Sequence, residues 1–118
     1  MIGVTADCTQ PAEVDRAFAE AAVAFGAVDI AVACVGGGGM IGGKVVKTAG
    51  VEPVTRHVAE HSLDDYMSIL ATTQFATFYT CRSAAAHMRA HGRGGRIVII
   101  GSVMANMAAK GSTGPHAR

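Results

Sequence analysis

A three-layer parallel α/β unit, ordered β-α-β-α-β, is predicted by three observations. Two segments, Ile30 to Val35 and Arg96-Ile-Val-Ile-Ile100, are apolar runs of the kind expected from parallel strands covered on both faces. Each follows a segment of helical period that stops at a glycine, Gly26 or Gly92. A short apolar run at 2–6 comes before the first of these helices. That order makes parallel strands joined by right-handed crossovers.

Residues 2–6 read as a strand ending at Asp7. Thr9 can cap the next helix, and Pro11 is tolerated in a first turn. Val14, Ala17, Phe18, Ala21 and Phe25 then form an apolar stripe opposite Glu13, Asp15, Arg16 and Glu20. After the strand at 30–35, residues 36–61 are a Gly-rich, weakly periodic insertion, too long for an ordinary connection. Ser62-Leu-Asp-Asp65 has the form of a capping box and opens a long helix. Tyr66, Ile69, Leu70, Thr73, Thr77, Phe78, Cys81, Ala85 and Met88 hold helical spacing up to Gly92. Gly92-Arg-Gly-Gly95 is a turn into the last strand, and 103–118 reads as an irregular tail.

With 118 residues, half of them hydrophobic and 16% charged, the chain is sized for one domain and is not compositionally disordered. A net charge of +1 without a basic block gives nucleic acid no electrostatic footprint. Met1 to Asp7 lacks a basic region followed by an apolar one, and the uncharged run between Asp65 and Arg82 is too short and too polar to span a bilayer. No membrane partner is therefore expected. Cys8, Cys34 and Cys81 are odd in number and far apart, as reduced thiols are, and the cytoplasm is the expected location.

Ligands of parallel sheets sit at the carboxyl ends of the strands. Here those ends are Asp7, Cys34-Val35-Gly36 and Gly101-Ser102. Gly37-Gly-Gly39-Met-Ile-Gly42 satisfies G-x-G-x-x-G, but Gly43 to Gly50 makes a poor helix to receive a phosphate. The stretch Gly38 to Lys44 nearly spells a P-loop, with Val45 where a magnesium-binding hydroxyl belongs. His57-Val-Ala-Glu60-His61 matches H-x-x-E-H, and His87 and His91 stand at i and i+4 on the long helix. Neither pair has an evident third ligand, so no metal is expected. Ser102 can donate a hydroxyl hydrogen bond into a cleft, although no His–Asp pair marks it as a nucleophile.

Taken in order, these strand ends resemble the middle of the short-chain dehydrogenase/reductase family. The matching pieces are Asp7, Ala24-Phe-Gly26, Val28-Asp-Ile-Ala-Val32, Ser62-Leu-Asp-Asp-Tyr66, Arg82-Ser-Ala-Ala-Ala-His-Met88 and Gly95 to Ser102, spread over about residues 3–110. The resemblance implies a partial Rossmann-like domain, NAD or NADP as cofactor, and hydride transfer at a small alcohol or carbonyl. It implies that Asp7 contacts the adenine amino group, with Cys8 beside the ring. Cys34, Val35 and Gly36 fall in the place of the family's Asn-Asn-Ala-Gly turn, and of its residues only Gly36 is kept. Thr73 falls where the long helix carries a catalytic-network Asn, and Ser102 matches the catalytic Ser that hydrogen-bonds the substrate oxygen. Relatives pair through the helix matching 62–91, so a homo-oligomer is implied through that segment.

The sequence departs from the family pattern further toward both ends. The Gly-rich T-G-x-x-x-G-x-G loop and the second strand are not found, and where Tyr-x-x-x-Lys should follow Ser102, position 115 is Pro. In the family's sheet order, two further strands would separate the strand at 2–6 from the strand at 28–35, leaving a gap of roughly 10–14 Å. The expectation is an incomplete NAD(P)-binding domain, a fragment inactive alone. The alternatives are a non-catalytic binding or dimerisation module and a phosphate-binding loop protein.

Overall fold

The structure is a computed structural model that describes residues 1–36, 40–41, 44–45, 59 and 62–102. Helix α1 (Pro11–Phe25) leads to strand β1 (Ile30–Ala33), then to the two short strands β2 (Met40–Ile41) and β3 (Lys44–Val45). Helix α2 (Leu63–Leu70) runs through a π-helical segment (Ala71–Phe75) into α3 (Ala76–His91), and β4 (Arg96–Ile99) follows.

Proline at the first helical position starts α1 without costing it a hydrogen bond. The N-cap is Gln10 rather than Thr9, and its side chain makes no cap bond. Thr9 instead turns back on Asp7, donating both its N–H and its hydroxyl to that carboxylate. Gly26 ends α1 at φ 85°, and its N–H donates to the Ala22 carbonyl at 2.7 Å. Ser62 caps α2 as the capping pattern predicts, accepting the Asp65 N–H at 3.0 Å. Gly92 closes α3 in the left-handed conformation.

β1 and β4 pair in parallel, with Ile30 opposite Arg96 and Ala33 opposite Ile99. α3 lies against both strands and against α1. Ala31, Ala84 and Met88 form the core, with Phe18 and Val28 packed onto it. Val14, Ile69 and Ala76 are also buried. Alanine carries little apolar surface, so this core removes only a modest area from water.

Three expectations need correction. The run at 2–6 forms no strand; among the described residues it pairs with neither β1 nor β4, which are bonded to each other. A strand exists only through its ladder, and in the expected sheet order two strands would separate this run from β1. Arg16 holds the run instead, donating to the Thr5 carbonyl at 2.8 Å. Among the described residues, the strands are covered on one face only. Ala31 and Ala33 are buried under the helices while Ile30 and Val32 are exposed, and so are Ile97 to Ile100. The described residues supply the sheet and a helical layer on one side of it. Finally, Phe25 and Phe78 are exposed at 62% and 59%, although both fell on the expected apolar stripes. The long helix packs through Ala76, Ser83, Ala84 and Met88, small residues among them letting the α1 and α3 axes approach.

Candidate functional site

The parallel register brings two of the predicted strand ends together. One step beyond the last paired residues, the Ile100 N–H donates to the Ala33 carbonyl at 2.9 Å. Cys34-Val35-Gly36 and Gly101-Ser102 therefore leave the sheet side by side. Cys34, Gly36, Gly101 and Ser102 are exposed and Val35 is half-buried. At Gly36 and Gly101 a Cβ would meet nothing within 4 Å, so the backbone at both strand ends is open to a ligand.

Asp7 and Cys8 stand at the same end of the unit. α1 and α3 run in the same direction, since Asp15 meets Ser83 and, farther along both helices, Phe18 stacks on His87. Each helix passes through a short turn into its strand and so runs antiparallel to it. The start of α1 consequently faces the carboxyl ends of β1 and β4. Asp7 sits in a tight turn there: Thr9 donates to its Oδ1 from the hydroxyl at 2.8 Å and from the backbone at 2.9 Å. The Asp7 N–H in turn donates to Glu13 Oε2 at 2.8 Å. The Thr9 hydroxyl, and then the Thr9 N–H, hold the Asp7 carboxyl below the ordinary aspartate range. It is thus a fixed, ionised acceptor in water. Cys8 is half-buried beside it.

Thr73 lies inside the π-helical segment. Its hydroxyl donates back to the Ile69 carbonyl at 2.6 Å, and Thr72 and Thr77 make similar bonds to the preceding turn. Wide π turns of this kind are frequent at functional sites. Gly101-Ser102 was legible as a strand end, whereas the π-helical form of the segment around Thr73 escaped the sequence reading. The run of back-bonding threonines at 72, 73, 77 and 80 was the available signal for it.

The loop motifs fare differently. Met40–Ile41 and Lys44–Val45 form an antiparallel ladder, so Lys44 lies in a strand and opens no helix to receive a phosphate. Gly37 to Gly39, His57, His61 and the 103–118 tail lie outside the described residues. Among the described residues no group of three His, Cys, Asp or Glu side chains could hold a metal, and no helix is long and apolar enough to cross a membrane.

Comparison with known proteins agrees with this geometry. The family model for short chain dehydrogenases matches residues 1–114. A hydroxynaphthalene reductase-like protein, Arp2, from Metarhizium anisopliae is 34% identical over 106 residues, which cover 90% of this chain and 33% of the relative. The chain thus spans about a third of the length of the curated relatives it matches. Among solved structures, a short-chain type dehydrogenase/reductase from Mycobacterium marinum superposes with a TM-score of 0.72 at 23% identity, over 92% of this chain and 37% of that one. NAD+-bound xylitol dehydrogenase superposes with a TM-score of 0.67 at 18% identity, over 90% of this chain and 35% of that one. The fold is a partial Rossmann-like α/β unit, and the chain belongs to the short-chain dehydrogenase/reductase family.

Proposed function

We propose that this chain contributes the carboxyl edge of an NAD(P)-dependent oxidoreductase that transfers hydride at a small alcohol or carbonyl. The observation carrying this reading is the joined strand ends, with Ser102 next to Gly101 at the close of β4. The two open glycines fit a flat dinucleotide lying close against the backbone. Asp7, with both Thr9 bonds on Oδ1, offers its remaining oxygen to an exocyclic amino group. Cys8, Cys34, Val35 and Gly36 line the same end. When bound, the nicotinamide supplies or accepts the hydride. Ser102 orients the substrate oxygen by a hydroxyl hydrogen bond. The names of the reductase-like and xylitol dehydrogenase relatives support an alcohol or carbonyl substrate.

General acid–base catalysis needs a proton donor tuned toward neutral pH. No Tyr-x-x-x-Lys stands in register with Ser102 in these 118 residues. The chain by itself is therefore expected to show no NAD(P)-linked oxidation across a panel of alcohols. Reproducible turnover above a Ser102→Ala control contradicts that expectation.

A second reading, a module that pairs with its own copy, is favoured by the exposed Leu63, Tyr66, Met67 and Phe78 along 62–91. Light scattering on the purified chain tests it: a discrete dimer supports the pairing, and a monomer rejects it.

A further inference from the structure

His87 and His91 lie one turn apart at the end of α3, in a place the oxidoreductase reading does not use. Residues at i and i+4 share a helix face, and here the two imidazole centroids are 6.5 Å apart with rings inclined by 31°. One arm is already held: the His87 ring stacks on Phe18 of α1, with centroids 5.8 Å apart. The other arm is exposed and free to turn. An ion about 2.0 Å from each ring nitrogen brings such centroids to roughly 4.5–5 Å, whether its angles are square or tetrahedral, so His91 has to swing inward by about 1.5–2 Å.

The surrounding charge permits a cation. The last carbonyls of α3 form the negative end of the helix dipole. Arg89 projects from the opposite face of the helix, and Arg93 is drawn away by Asp29, 3.1 Å from its guanidinium. We propose that His87 and His91 form a two-imidazole chelate for a first-row divalent transition ion, with water in the remaining positions. Imidazole suits Ni(II), Cu(II) and Zn(II), and two neutral nitrogens without a carboxylate disfavour Mg(II) and Ca(II). The proposal is independent of the oxidoreductase reading.

Ni(II) titration of the full chain by calorimetry, with thermal melts followed by helix signal, tests it at about pH 7.5. Binding to the folded helix should raise its melting temperature. His91→Gln, at an exposed position, should keep the helix signal, weaken Ni(II) at least tenfold or so, and abolish the shift. A His57→Ala/His61→Ala double variant should retain both binding and shift, which separates this pair from the other. Three results overturn the proposal: no Ni(II) binding, binding indifferent to His91→Gln, or an equal loss in the His57/His61 double variant.

Discussion

The Ile100 N–H reaches the Ala33 carbonyl at 2.9 Å, extending the β1–β4 ladder past its last paired residues. That bond fixes Gly101-Ser102 beside Cys34-Val35-Gly36. A parallel ladder is slanted, so each strand end leaves one side of its last peptide groups unpaired. In this chain both strand ends lie at the end of the unit where the Asp7 turn also lies. The functional reading therefore rests on backbone geometry set by register, with side chains adding selectivity.

Ser83 and Asp15 join α3 to α1. Ser83 is buried, and its hydroxyl donates to Asp15 Oδ1, while Arg82 approaches Oδ2 at 3.4 Å. Asp15 is more than half exposed, so water replaces the lost partner in Ser83→Ala. The expected cost is about 1 kcal/mol in urea unfolding. Arg82→Ala, which removes only the exposed partner, should cost less than half as much.

Gly95 is a packing constraint. A Cβ there would meet the Met88 side chain, with Cγ at 2.7 Å and Sδ closer still. Met88 is buried against Ala31 and Ala84 and has little room to retreat. Gly95→Ala should destabilise the chain by roughly 1–3 kcal/mol through overpacking. Combining it with Met88→Ala should recover part of that loss, so a double-mutant cycle in urea should show coupling of the relieving sign.

Acid should loosen the Asp7 turn. The folded carboxyl titrates below its ordinary range because the Thr9 hydroxyl and N–H bond to the ionised form. A lowered folded value means the contribution is complete above the ordinary aspartate value, near pH 4, and is lost as pH falls through the lower folded value. The Thr9 amide resonance, followed by NMR against pH, should move with a midpoint below that of an unstructured aspartate. Thr9→Ala should bring the midpoint upward.

Local chemistry was legible in the sequence wherever one residue decides it. Gly26 and Gly92 stop helices through positive φ, Ser62 caps through its hydroxyl, and Val14 and Phe18 mark the inward face of α1. The strand ends were legible because apolar runs stop at Gly36 and Gly101. What escaped depends on partners far along the chain. Whether 2–6 is a strand depends on a neighbour that can complete its hydrogen bonds. Which face of the long helix packs depends on close approach, which favoured Ala76 and Ala84 over the larger Phe78. Ile30 and Val32 read as buried because β-propensity reports a fit to a sheet and not the layer above it.

Chemical-shift mapping of the labelled chain with millimolar NAD+ and NADP+ tests the carboxyl-edge assignment most directly. The account predicts that perturbed amides cluster at Asp7, Cys8, Cys34 to Gly36, Gly101 and Ser102, while the far end of the unit around Gly92 to Gly95 stays unchanged. No perturbation with either dinucleotide, or perturbation centred away from those strand ends, would contradict it.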